Sequence, residues 1–147
     1  MPWFDKDSDL TIIANVIVNN KGGIGMRNSR AIISHNLIKD NKFFGIWPKE
    51  DLAAVVTYNE ITGNNKGIYL YQARGLELHH NNIYDNTEYN IGVAEAQDYP
   101  VEARNNWFGT SNRQKIEELI FDKKDDPTLA EILYDPVLDQ QVAWEER

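Results

Sequence analysis

The chain is 147 residues long, enough for one domain, and its 15 Lys and Arg against 23 Asp and Glu give a net charge of −8. That balance, with no cluster of basic side chains, argues against a nucleic-acid partner and against an anionic membrane surface. The absence of cysteine excludes disulfides and thiolate metal sites, no run approaches the roughly 18 apolar residues of a membrane span, and Met1-Pro2-Trp3-Phe4-Asp5-Lys6-Asp7 lacks the basic-then-apolar order of a signal peptide. The expectation is a soluble polypeptide without an export signal, and nothing in the sequence assigns a compartment.

From the N-terminus the chain repeats one grammar: Asn-x-Ile-x-x-Asn, then Gly-Ile-x-apolar. The first Asn falls at Asn15, Asn36, Asn59 and Asn81, and the second at Asn20, Asn41, Asn64 and Asn86. Between them stand Ile17, Ile38, Ile61 and Ile83, and after them come Gly23-Ile24, Gly45-Ile46, Gly67-Ile68 and Asn90-Ile91. A period near 22 residues is the mark of a solenoid. Gly, and Asn in its place at position 90, suits a left-handed turn, so the bends are expected at the Asn and Gly positions. Trp3-Phe4 occupies the place that Trp47-Pro48 holds in a later repeat, so the chain opens in mid-coil.

Before each first Asn stands an alternating apolar pair: Leu10/Ile12, Ala31/Ile33, Ala54/Val56, Leu76/Leu78 and Val101/Ala103. That period-two pattern predicts a strand. The fifth pair makes Asn106 the next first Asn and Phe108 its inward partner, with the loop of residues 94–100 taking up the extra length. Each coil therefore reads as three short strands, and stacked coils put equivalent strands in parallel, about 4.8 Å apart. The Asn side chains, which both donate and accept, form ladders between coils.

After Asn106 the pattern changes. Trp107-Phe108-Gly109-Thr110-Ser111-Asn112 is a turn, and residues 113–122 carry Ile116, Leu119 and Ile120 at helical spacing, with Ser111 or Asn112 as N-cap. Residues 132–138 are expected to lie extended across the end of the stack, and the last residues to fray. The domain plan is all-β: about five coils over residues 1–110, uncapped at the N-terminal end, and a helix-containing cap and tail over residues 111–147 of the same domain.

These repeats resemble the pectate-lyase-like right-handed parallel β-helix superfamily, and in particular its carbohydrate-binding and sugar-hydrolase type repeats. Asn105-Asn106-Trp107-Phe108-Gly109-Thr110, a following helix and Tyr134-Asp135-Pro136-Val137-Leu138 are similar to the C-terminal cap of such proteins. The resemblance covers residues 10–138. It implies the fold but not one activity, since the family includes polysaccharide lyases, hydrolases, epimerases, copper-maturation proteins and non-catalytic surface proteins. Enzymes of the family usually have more coils and a cap at each end.

Outward positions follow from the same register. On the first strand they are Thr11/Ile13, Ile32/Ser34, Val55/Thr57, Glu77/His79 and Glu102/Arg104. Glu77, His79, Glu102 and Arg104 would form one cluster, either an acid-base site of a polysaccharide-processing enzyme or an exposed ionic network. His35 and His80 share a position two coils apart with Tyr58 between them, too distant to share a metal, and His79 and His80 are expected to point apart. No metal site and no cofactor is assigned, and the acidic turn at Asp125-Asp126 reads as a solvated loop. On the third strand Trp47, Tyr69 and Tyr71 face outward between Gly25 and Gly92, an aromatic ladder able to hold a sugar ring or a protein surface. In the repeated stretch itself Glu60, Thr62, Tyr69 and Tyr71 are read as outward and free for function.

Apolar residues also face outward near the start: Ile13, Ile32 and Val55 on one strand, Val16, Val18 and Leu37 on the next. A patch of this kind, beside an uncapped parallel edge, implies self-association through the N-terminal coils. A second account makes the chain the C-terminal part of a longer β-helix. The leading functional expectation is a non-catalytic binding module, carbohydrate-binding and self-associating; the alternative is the polysaccharide-processing enzyme.

Overall fold

The computed structural model describes residues 9–94, 97 and 99–143, and of residues 51 and 52 the backbone alone. The mid-coil start at Trp3-Phe4, part of the loop at 94–100 and the end of the tail lie outside the described residues.

Three strands make each turn. The first turn comprises β1 (Asp9–Ile13), β2 (Val16–Val18) and β3 (Gly22–Arg27), and the second opens with β4 (Arg30–Ser34) and β5 (Leu37–Lys39). The third strand of one turn then runs into the first of the next, giving β6 (Phe44–Thr57) and, after β7 (Glu60–Thr62), β8 (Lys66–His79). These two 14-residue strands replace four of the short ones expected. They bend at Glu50 and Gln72, where φ is 66° and 52°. The fourth turn continues with β9 (Asn82–Tyr84) and β10 (Tyr89–Val93).

Every named pair is parallel, and the first strands keep the register of the repeat, Leu10 beside Ala31, Ala31 beside Ala54 and Ala54 beside Leu76, with register shifts between Lys49 and Ala54 where β6 bends. The result is a right-handed parallel β-solenoid of about four turns. A partial fifth follows, through β11 (Val101–Glu102) and the bridge of Asn82 to Trp107.

One apolar column fills the interior. Ile24, Ile46, Ile68 and Ile91 stack on one side, Ile38, Ile61 and Ile83 on another, and Ile33, Val56 and Leu78 on the third, each at most 1 % exposed. Phe108, the expected inward partner of the fifth turn, is buried as well. Between the apolar rows run two ladders of buried Asn. In the first, the backbone N–H and Nδ2 of Asn36 both donate to Oδ1 of Asn59, Asn59 does the same to Asn81, and Asn81 to Asn106, all at 3.0–3.1 Å. The second ladder runs Asn41 to Asn64 to Asn86 in the same way. Water cannot reach these corners, so the amides supply the partners the turning backbone would otherwise lack.

Two expectations about the corners are corrected. The left-handed bends fall one residue before each Asn, at Ala14, His35, Tyr58, His80 and Asn105 (φ 56–64°) and at Asn19, Asp40, Gly63 and Asp85 (φ 53–70°). Gly23, Gly45 and Gly67 are needed for close approach instead: a Cβ on Gly45 would meet the Gly67 carbonyl oxygen at 2.6 Å, and one on Gly67 the Asn90 oxygen at 2.4 Å. Asn90 stands in the glycine position because its Oδ1 accepts from the N–H and Nδ2 of Asn86, at 3.3 and 2.9 Å, and so ends the second ladder.

The cap also differs from its expectation. Helix α1 (Arg113–Glu118) is shorter than the apolar spacing suggested, with Asn112 as N-cap accepting from the amides of Gln114 and Lys115. Ile120 belongs to β12 (Ile120–Phe121), which pairs with β10 and carries the third-strand sheet one layer further. β13 (Ile132–Leu133) pairs in register with β11 rather than crossing the stack. The tail is anchored as far as Val142, whose N–H donates to Oδ1 of Asn82 at 2.8 Å while its carbonyl accepts from Nδ2 at 3.0 Å.

Candidate functional site

The third-strand sheet carries an outward row of rings. Alternation along β8 places Tyr69 and Tyr71 outward, and the register puts Trp47 beside Tyr69 with ring centroids 5.4 Å apart. Phe44 meets Trp47 edge-on at 5.3 Å. Lys49 lies over both Trp47 (4.7 Å) and Tyr71 (5.4 Å), and Lys66 lies 4.6 Å over Tyr69 and 3.8 Å from the Glu88 carboxylate. Such ammonium–ring contacts hold the rings' orientation while keeping the charge in water.

At Gly92 the row has no side chain of its own. The Tyr89 ring fills that place, since a Cβ there would sit 2.4 Å from it, and stacks on Phe121 at 5.9 Å with an interplanar angle of 8°. Phe121 sits outward because β12 places it in register with Gly92.

Between this face and the cap lies a groove of about 680 Å³, lined by Tyr69, Tyr71, Tyr89 and Phe121 of the third-strand sheet and by Asp125 and Asp126 of the cap. Asp122, itself buried, shapes the cap loop by accepting from the amides of Ile132 (2.9 Å) and Lys124 (3.2 Å). Burial pushes the Asp125 carboxyl up, but hydrogen bonds from Lys124 and the Asp122 amide, with the Lys124 charge, outweigh this and hold it below its ordinary value. Hydrogen bonds from the amide and hydroxyl of Thr128 lower Asp126 in the same sense. Both therefore present anions at neutral pH. Burial pushes the Tyr89 phenol far up, reinforced by Tyr69 and Glu88, so it stays neutral.

The family described as "Right handed beta helix region" matches residues 3–117. The chain belongs to that family. No curated protein and no solved structure matches it. As a right-handed β-helix, it places its side chains by strand alternation, and each candidate residue can be located accordingly.

Of the expected aromatic set, Tyr69 and Tyr71 line the groove while Trp47 continues their row outside it. The lining also includes Tyr89 and Phe121, which the sequence did not single out, and Asp125 and Asp126, which it read as a solvated loop. Phe121 lies 29 positions after its ladder neighbour Gly92, beyond the 22-residue period, and the sequence read its neighbour Ile120 as helical.

The ionisable residues of the first strand make the following contacts. His79 Nε2 lies 3.9 Å from Glu77 Oε1, and Arg104, just after β11, pairs with Glu102 at the end of that strand and donates from Nε to the Asp135 carbonyl at 2.9 Å. His79 and His80 do not point apart: the left-handed backbone at His80 turns its ring back, and the two Nδ1 atoms lie 2.9 Å from each other. His35, Tyr58 and His80 stack along the corner at 5.6 Å spacing. Among the described residues no group of three or more His, Cys, Asp or Glu is placed to hold a metal ion.

Glu60 and Thr62 are buried, not free for function. Glu60 accepts from Asn82 Nδ2 at 2.9 Å and from the Tyr84 hydroxyl, and the tail at Val142 docks on the same Asn82. Of the apolar N-terminal residues, Ile13 (46 %), Val16 (69 %) and Ile32 (49 %) are exposed, whereas Val18, Leu37 and Val55 are half-buried beside them.

Proposed function

We propose that this right-handed β-helix is a saccharide-binding module and that the groove between the third-strand face and the cap is its binding site. The observation that supports the reading is the set of rings lining the groove, Tyr69, Tyr71 and the exposed Phe121 backed by the buried Tyr89 that stacks on it, beside carboxylates that can accept hydrogen bonds from sugar hydroxyls. Ring faces cover the apolar C–H face of a pyranose, and a groove of about 680 Å³ is of ordinary ligand-site size. The rings belong to β-strands and the short cap, so the surface is pre-organised and little ordering cost falls on binding.

A glycan array followed by calorimetry tests this. Binding to at least one glycan class is expected, with Tyr71→Ala and Phe121→Ala each weakening it about tenfold, the equivalent of about 1.4 kcal/mol of lost stacking. Silence across neutral, acidic and amino glycans would overturn the reading.

A second element of the proposal is self-association. The exposed side chains of Ile13, Val16 and Ile32 flank the corner between β1 and β2, the outermost strands of their sheets among the described residues. The occupant we assign to that patch is a second copy of this chain. The Arg30 guanidinium beside it pairs with Asp9 on the neighbouring strand, giving the patch a rim of both charge signs that can meet its own copy.

A further inference from the structure

The charge of the groove narrows the class of saccharide. Its lining brings carboxylates from three parts of the chain: Glu88 just before β10, Glu118 at the end of α1, and Asp125 and Asp126 in the loop after β12. Among the described lining residues one ammonium, Lys66, stands against these four, already beside Glu88 and over Tyr69, and Lys124 from outside the lining pairs with Asp125. Of Asp125, Oδ2 accepts from Lys124 Nζ (2.9 Å) and the Asp122 amide (3.1 Å); of Asp126, Oδ1 accepts from the amide (3.0 Å) and hydroxyl (2.9 Å) of Thr128. Asp125 Oδ1 and Asp126 Oδ2 remain to receive donors from a ligand.

We propose that the groove selects an oligosaccharide bearing free amino groups and rejects polyuronates; the proposal rests on the saccharide reading above. A protonated sugar amine supplies three donors and a positive charge to the carboxylate rim, and it can also lie over a tyrosine face. A uronate brings its own carboxylate against four others, in a groove where like charges are incompletely screened. A metal ion bridging a uronate to the rim would need converging protein ligands, and no such group is present among the described residues.

The test uses the full chain at about pH 6, where carboxylates are ionised and sugar amines are largely protonated. Calorimetry compares a glucosamine oligomer, its N-acetylated counterpart and a galacturonate oligomer of the same length, the last with and without calcium. The expected result is binding of the amino form at least about tenfold tighter than the N-acetylated form, a preference that shrinks with added salt. Asp125→Asn with Asp126→Asn should remove most of the preference. Glu88→Gln with Glu118→Gln, on other elements, should do the same independently of the cap loop's folding. Glu131→Gln with Asp139→Asn, outside the groove, controls for general attraction to a chain of charge −8 and should leave the preference intact.

Equal binding of the amino and N-acetylated forms would overturn the charge selection and leave the saccharide reading standing. So would tighter binding of the uronate, with or without calcium, or loss of the preference in the remote control. Failure of all three oligomers to bind would remove both proposals for these sugars.

Discussion

Asn59 and Asn81 are joined twice through one oxygen: Oδ1 of Asn81 accepts both the backbone N–H and the Nδ2 of Asn59, each at 3.0 Å. The other Nδ2 hydrogen of Asn59 is directed to carbonyls, those of Ile33 (2.9 Å) and Thr57 (3.1 Å), while its own Oδ1 receives the same pair of donors from Asn36. Truncation at this position therefore strands polar groups in three turns at once. Asn59→Ala is expected to cost about 3–5 kcal/mol, several buried groups each losing about 1–3 kcal/mol. Asn15→Ala, at the exposed first rung, should cost under about 1 kcal/mol. Urea unfolding of the two variants measures the difference, and equal losses would show that the ladder is not a continuous support.

Gly45→Ala tests the reassignment of the glycines. A left-handed requirement would cost about 1–2 kcal/mol, but φ at Gly45 is not positive and the obstacle is the Gly67 carbonyl at 2.6 Å, with the Asn64 amide and Ile61 at 3.1 Å. To admit a methyl, adjacent turns must separate, breaking ladder bonds on both sides. The expected loss exceeds about 2 kcal/mol, and the variant should show weakened amide-exchange protection in both β6 and β8, not in one turn alone.

Most of the architecture was legible because the coil writes its own register. Asn59, Ile61, Asn64 and Ile68 each meet an equivalent in the next turn, so one repeat predicts the rest. What failed had no counterpart one period away. Asn82 holds Val142, 60 residues on, and no spacing within the repeats foretells that the tail returns to the side chain that also binds Glu60. The groove was half legible: Tyr69 and Tyr71 follow from alternation, whereas Phe121 enters through a strand that follows a helix outside the repeat. His79 and His80 were misread because alternation holds only while φ is negative, and at His80 it is 56°.

Glu60 and Tyr84 set a pH limit. Burial, then the hydrogen bond to Glu60 and its charge, push the Tyr84 phenol from about 10 up to about 12. Tyr134 is pushed up to about 12 as well, by burial and by Glu117. A group whose folded value is raised contributes stability that is complete below its unfolded value and disappears as pH rises through the folded one. Stability should therefore fall between about pH 10 and pH 12. Tyr84→Phe should flatten part of that fall, and Tyr84→Phe with Tyr134→Phe more of it. Denaturation midpoints across the window measure it, with tyrosinate absorbance following the two phenols; a midpoint that stays level in the wild type would overturn the assignment.

Val16, the most exposed of the large apolar side chains among the described residues at 69 %, belongs to the proposed self-association patch, with Leu37 beside it in register and Ile13 across the corner. A lysine there keeps strand pairing, because the side chain projects outward, yet its ammonium would have to be dehydrated to enter an interface. Val16→Lys should therefore leave the unfolding midpoint nearly unchanged and abolish dimerisation. Ile32→Lys, on the adjacent sheet, should act in the same way if one patch spans the corner. Sedimentation at several concentrations reads the outcome: the wild type should gain mass with concentration while both variants remain monomeric. A wild type that stays strictly monomeric at tens of micromolar (about 10–100 μM, where an interface of even modest size would associate) would overturn the proposal, and a dimer that survives both substitutions would move the interface elsewhere on the solenoid.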